Sequence, residues 1–93
     1  MDSADKPALE TPVLFLLIYS KGAISRRKIL TSLLSCPKNC NQLSKEAKLE
    51  WWSIKKHLEY LCQEKLIKVH QCGRMKIYEI TSKGKDAIET CNN

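Results

Sequence analysis

Between residues 49 and 62 the apolar positions are Ile54, Leu58 and Leu61, with Cys62 beside them. The spacing i, i+4, i+7, i+8 predicts a helix over about residues 50–64, packed along one face. Its opposite stripe carries Trp52, Lys55, Lys56 and Glu59, and neither Gly nor Pro interrupts it. Downstream, residues 66–70 and 75–80 read as two short strands, with Gly73 in the turn between them. Upstream, Ile29, Leu30, Leu33 and Leu34 predict an amphipathic helix over residues 26–35, with Ser25 as its cap and Pro37 beyond its end. Asn39 followed by Gln42 has the form of a capping box and opens a short helix over about residues 40–48, with Leu43 and Ala47 facing inward. Leu49 and Glu50 then form the turn into the longer helix.

The first element differs in kind. Residues 13–19 are apolar on every side, bounded by Thr11-Pro12 and by Gly22. A short continuous run suits a buried strand or a helix. Thr11 as N-cap, Pro12 at the first helical position and Gly22 as a stop select the helix. A helix without a polar face must be buried all round, which one small domain can hardly do alone. Val13, Leu14, Leu16, Leu17 and Ile18 are therefore expected to form a dimer interface. Residues 1–9 read as a polar tail and residues 10–93 as one domain. A last short helix over residues 81–91 is capped by Thr81, anchored by Ala87 and Ile88, and weakened by Gly84. The fold class expected is mainly α with a small β-hairpin.

A chain of 93 residues with 43% hydrophobic and 28% charged residues suits a single globular unit. The net charge of +6 favours an acidic partner, either nucleic acid or an anionic membrane surface. No segment approaches the ~20 apolar residues of a membrane span. Asp2, Asp5 and Glu10 stand where a secretory leader would be basic. A cytoplasmic protein without membrane contact is expected. Arg26, Arg27 and Lys28 crowd the first turn of the second helix, against its dipole. A bound phosphate would relieve that repulsion, and so would plain solvation.

The five cysteines are Cys36, Cys40, Cys62, Cys72 and Cys91. In a reducing compartment all are thiols. In a hyperthermophile a Cys36–Cys40 bridge, or one between subunits through Cys91, becomes available. Cys40 stands at a helix N-terminus, which favours its thiolate. The chain has no Cys-x-x-Cys, and its two histidines are His57 and His70, so no metal or other cofactor is expected. No phosphate loop, His-Glu-x-x-His or nucleophile elbow is present, and the chain is not expected to be an enzyme.

Three stretches carry a resemblance. Arg27-Lys28-Ile29-Leu30-Thr31-Ser32-Leu33-Leu34 with Pro37-Lys38-Asn39-Cys40-Asn41-Gln42-Leu43 resembles the opening of archaeal winged-helix regulators. Ser53-Ile54-Lys55-Lys56-His57-Leu58-Glu59-Tyr60-Leu61, followed by Lys65-Leu66-Ile67, is similar to their recognition helix and first wing strand. Tyr78-Glu79-Ile80-Thr81-Ser82-Lys83-Gly84 is similar to the strand–Thr–x–Lys–Gly ending of that superfamily. The nearest group is the ArsR/MarR-like winged helix-turn-helix regulators of archaea and their viruses. The resemblance implies a homodimer that binds operator double-stranded DNA, often as a repressor. The helix over residues 50–64 would enter the major groove, and the wing over residues 71–75 would lie near the backbone. The implied DNA-binding residues are Arg26, Arg27, Gln42, Trp52, Ser53, Lys55, Lys56 and Arg74. Trp51 is expected to pack inward against Leu43 or the wing, and His57 to be a satisfied structural residue. The tryptophan pair and the short wing depart from the usual pattern. Two alternatives stay open: a winged-helix module that binds protein, and a cysteine-based redox- or metal-responsive regulator such as the ArsR group includes.

Overall fold

The computed structural model describes residues 9–92; apart from Leu9, the expected N-terminal tail lies outside them. Helix α1 (Thr11–Leu14) has Glu10 rather than Thr11 as its N-cap, and no side chain caps it. Pro12 sits in its first turn, where a missing N–H costs nothing. The helix then widens into a π-helical turn, Phe15–Tyr19, closed by Ser20 N donating to Phe15 O at 2.9 Å. Ser20 is extended and ends it.

Helix α2 (Ala23–Leu33) starts three residues before the expected Arg26. Its N-cap is Gly22, at φ 86°, and not Ser25. Glycine is required here twice over. The left-handed backbone disfavours a side chain, and an added Cβ would stand 2.9 Å from His57 Cε1. Strand β1 (Lys38–Asn39) follows. Helix α3 (Cys40–Ala47) opens with the expected capping box, Asn39 Oδ1 accepting from Gln42 N and Gln42 Oε1 from Asn39 N. Its C-cap, Lys48, is left-handed and sharpens the turn into helix α4 (Trp51–Gln63).

Strands β2 (Ile67–Cys72) and β3 (Met75–Ile80) form the hairpin. Their register runs from Ile67 opposite Ile80 to Cys72 opposite Met75. Gly73 has φ 62° in the two-residue loop, where such hairpins need a positive φ. Strand β1 adds to the far edge of β3, with Lys38 opposite Tyr78 and Asn39 opposite Ile77, giving an antiparallel sheet of order β1-β3-β2. A two-residue strand leaves no periodicity to read, so the sequence did not announce it. Helix α5 (Ser82–Asn92) packs behind; Thr81 Oγ1 accepts from Gly84 N at 3.0 Å, as a cap should.

The core collects Leu16 and Leu17 of the π turn, Ile29 and Leu30 of α2, Ile54 and Leu58 of α4, and their neighbours. This corrects one expectation. Val13, Leu16 and Leu17 are buried within the chain's own core and are not free to form an interface. Leu14 is half-buried. Phe15, Ile18 and Tyr19 are the residues of this segment that stay exposed. The fold is mainly helical with one small antiparallel sheet, as the chain's periodicities imply.

Candidate nucleic-acid interface

Helices α3 and α4, joined by the tight turn at Lys48–Glu50, form a helix-turn-helix unit beside the hairpin. Burial of Ile54, Leu58 and Leu61 fixes the rotation of α4 about its axis. The opposite stripe is thereby presented outward: Trp52, Lys55, Lys56 and Glu59 are all exposed, and Ser53 is half-buried. Trp52 is 73% exposed. Trp51, expected to pack inward, is also at the surface, at 47% exposure. The indoles meet edge to face, with centroids 6.1 Å apart. Lys55 Nζ sits 4.7 Å from the Trp51 ring centroid, a cation–π contact.

Arg74 is exposed in the hairpin turn, which Gln71 braces by donating to Gly73 O at 2.8 Å. Asn39 Nδ2 lies 3.8 Å from Met75 Sδ and joins the start of α3 to the turn end of the wing. Between these elements is a cleft of about 250 Å³, lined by Asn41, Trp51, Lys55, Arg74, Lys76 and Tyr78 among others. Asn41 and Lys76 are not singled out by the sequence, and Trp51, expected inside against Leu43 or the wing, lies half exposed in a cleft that it shares with wing residues. A period-two reading from buried Tyr78 places Lys76 on the same sheet face, which was the available signal.

The arginines of α2 have another role. Arg26, expected as a phosphate contact, is only 3% exposed. Its Nε donates to Leu16 O at 2.9 Å, and its Nη2 to Lys21 O at 2.9 Å and Ser20 Oγ at 2.7 Å. Its Nη1 lies 3.3 Å from His57 Nδ1. Arg27 is half-buried and donates to Leu17 O. Both therefore satisfy carbonyls at the C-terminal end of the first helical segment, where backbone acceptors lack intrahelical partners and cations are favoured. The charge that crowds the start of α2 is relieved by the end of the preceding helix, and Arg26 is withdrawn from the DNA-binding set. Gln42 is exposed, but its Oε1 is committed to the capping box.

Lys38 is a further cation that the sequence did not mark. It is buried, pairs with Glu46 at 3.0 Å and donates to Ser32 Oγ at 3.1 Å and Ser35 Oγ at 3.0 Å. Hydrogen bonds from Ser32 and Lys38 hold the Glu46 carboxyl below the ordinary carboxylate range.

Within the chain all five cysteines are unpaired, so Cys36 and Cys40 are not bridged to each other. Burial pushes the Cys40 thiol up, and Lys55 only partly opposes this, so the expected thiolate at the α3 N-terminus is not favoured. Burial likewise raises the Cys62 and Cys91 thiols. Among the described residues no three His, Cys, Asp or Glu side chains cluster as a metal site would require, and no helix is long and apolar enough to cross a membrane.

A family model described as winged helix-turn-helix matches residues 24–93. The chain belongs to the winged helix-turn-helix family. No curated protein sequence matches it. Among solved structures it is similar to the transcriptional regulator BldR from Sulfolobus solfataricus, at 21% identity and a TM-score of 0.75, over 85% of this chain and 58% of that one. It is similar to reduced HlyU from Vibrio cholerae, at 22% identity and a TM-score of 0.69, over 86% of this chain and 82% of that one. It is also similar to ZitR from Lactococcus lactis, a zinc-responsive MarR family member, at 18% identity and a TM-score of 0.68, over 80% of this chain and 54% of that one. The winged helix-turn-helix chain thus spans little more than half the length of BldR and ZitR. At these identities the likeness is one of fold, and function must be argued from the site.

Proposed function

We propose that the chain is a sequence-specific double-stranded DNA-binding transcription regulator that acts as a homodimer and represses by occupying its operator. The observation that carries this is the uninterrupted outward stripe of α4, with Trp52, Lys55 and Lys56 beside a wing tipped by Arg74. In winged helix-turn-helix proteins the second helix of the turn motif is the one that enters the major groove. Lys55 and Lys56 have the chemistry to donate to guanine O6 and N7 or to phosphate. Ser53 accepts or donates at a base edge, and Trp52 packs on a sugar or thymine methyl. Arg74 meets the backbone from the wing, with the Gln42 amide at the margin; Arg27, engaged with Leu17 O, is left out of the contact set. Homodimerisation is supported by Phe15, Ile18 and Tyr19, which stand exposed at i, i+3 and i+4 on one segment.

The test is affinity for duplex DNA as a function of salt. Binding should weaken steeply with salt, because each neutralised phosphate releases condensed counterions. A Lys55→Ala/Lys56→Ala double variant should bind more weakly, with a slope shallower by about one unit for each lysine that contacts only phosphate. Equal affinities and slopes for the two proteins would remove α4 from the DNA interface and favour a protein-binding module.

A further inference from the structure

The cleft between the N-terminus of α4 and the wing is not needed to read a paired base. Base pairs in a groove present only their edges, whereas Trp51 offers this cleft the surface of an indole. We propose that the cleft receives one unstacked nucleobase, with Trp51 as its stacking wall, so that DNA carrying an unpaired nucleotide is bound in preference to a fully paired duplex. The proposal rests on the reading of α4 as the DNA-contacting helix and adds the form of DNA it prefers.

Three observations support it. The first is charge: Lys55, Arg74 and Lys76 line the cleft and no carboxylate does, which fits an aromatic group linked to phosphates. The neighbouring groove between α4 and the hairpin, by contrast, contains Glu59. The second is size. At about 250 Å³ the cleft falls below the ~300–1,000 Å³ typical of drug-sized ligands, which suits a base whose sugar and phosphate stay outside. The third is chemistry. Trp51 is half exposed and its ring is covered by the Lys55 ammonium at 4.7 Å. A phosphate arriving with the nucleotide competes for that ammonium and frees the indole for the base. Flipped and single-stranded bases are held in this manner, stacked on aromatic side chains and hydrogen-bonded along their exposed edges. The Asn41 amide at the cleft wall has the donor and acceptor for such an edge, and pairs in type with adenine. Asn39 does not serve, because its amide is engaged with Gln42 and Met75.

The experiment uses the whole protein and three short duplexes of one sequence at low salt: fully paired, with a single extra unpaired adenine, and with an abasic site in place of that adenine. The abasic bulge keeps the extra sugar and phosphate and lacks the base. The adenine bulge should bind about tenfold more tightly than the abasic one, the scale of one base–aromatic stack, and should quench tryptophan emission more strongly. Trp51→Ala should abolish the difference and Trp51→Phe should keep most of it. Equal affinities for the adenine and abasic bulges, with the paired duplex still bound, would overturn the base pocket and leave the regulator reading intact. A preference that survives Trp51→Ala would overturn Trp51 as the wall. Failure to bind any of the three would overturn both readings.

Discussion

Arg26 Nη1 lies 3.3 Å from His57 Nδ1 and ties the start of α2 to the middle of α4. A guanidinium can only donate, so His57 Nδ1 accepts and its proton is on Nε2. Burial first, and the Arg26 charge second, hold the imidazole below its ordinary range. A histidine whose folded pKa is depressed is neutral when folded, so the unfolded chain binds the extra proton as pH falls. Its contribution to stability is fully present above the ordinary value of 6.5 and is lost as pH falls through the depressed folded value. The urea midpoint should therefore decline from about pH 7.5 to about pH 5.5. His57→Asn keeps an acceptor near the Nδ1 position and cannot titrate, so it should flatten that decline. Glu46 and Glu79, both depressed by hydrogen bonds, enter only below 4.5. An equally steep decline in the variant would exclude His57 as its source.

Arg26 and Arg74 make a contrast that separates folding from binding. Arg26→Ala leaves the carbonyls of Leu16 and Lys21 without their donor in a packed region. Losing several charge-assisted hydrogen bonds at once should cost about 3 kcal/mol or more. In a domain of this size that lowers Tm by at least ~12 °C. Arg26→Lys should not rescue it, because an ammonium cannot span the same fork of acceptors. Arg74→Ala should leave Tm nearly unchanged and weaken DNA binding. Thermal melts of the three variants check the order.

The expectations that held were those with a local physical signature. The Ile54/Leu58/Leu61 stripe, the Asn39/Gln42 capping box and the turn at Gly73 each act over a few residues, and each appears where the sequence places it. What failed was non-local. The apolar run around Leu16 and Leu17 exceeds what one small domain is expected to bury, because the sequence does not reveal that α2 folds back on it and that its inner side joins the common core. Arg26 looked like a phosphate ligand because its acceptors, Leu16 O and Lys21 O, are created only when the π turn folds back. Trp51 is expected to pack against Leu43 or the wing, but the rotation of α4 is set by Ile54 and Leu58 and leaves the indole half exposed. The outward stripe of Trp52, Lys55 and Lys56 was legible, while the cleft beside it depends on the unmarked strand β1.

Gly84 gives a third prediction, against helix propensity. Glycine in a helix should be improved by alanine by up to ~1 kcal/mol. Here an added Cβ would collide with the backbone oxygen of Leu66 and stand 2.7 Å from Ile80 Cγ1. Backbone at the start of the hairpin cannot give way cheaply. Gly84→Ala should therefore destabilise the domain by ~1–3 kcal/mol, as overpacking does. A urea titration showing a gain in stability would mean that α5 can shift away from the sheet.

The dimer prediction follows from which side of the first segment the core leaves free. Leu17 is fully buried, so Leu17→Lys should unfold the protein and says nothing about assembly. Phe15 and Ile18 are 58% and 43% exposed, so charges there should spare the core. Phe15→Glu with Ile18→Lys should give a folded monomer, with unchanged helical content and half the sedimenting mass of the wild type at micromolar concentration. A closed two-fold dimer would set two copies of α4 on one face of the DNA, with half-sites one helical turn, about 34 Å, apart. Wild-type protein should accordingly protect two half-sites at that spacing, and the charged variant should protect one with weaker affinity. A wild-type monomer in sedimentation, or an undiminished two-half-site footprint from the variant, would rule out this face as the dimer contact.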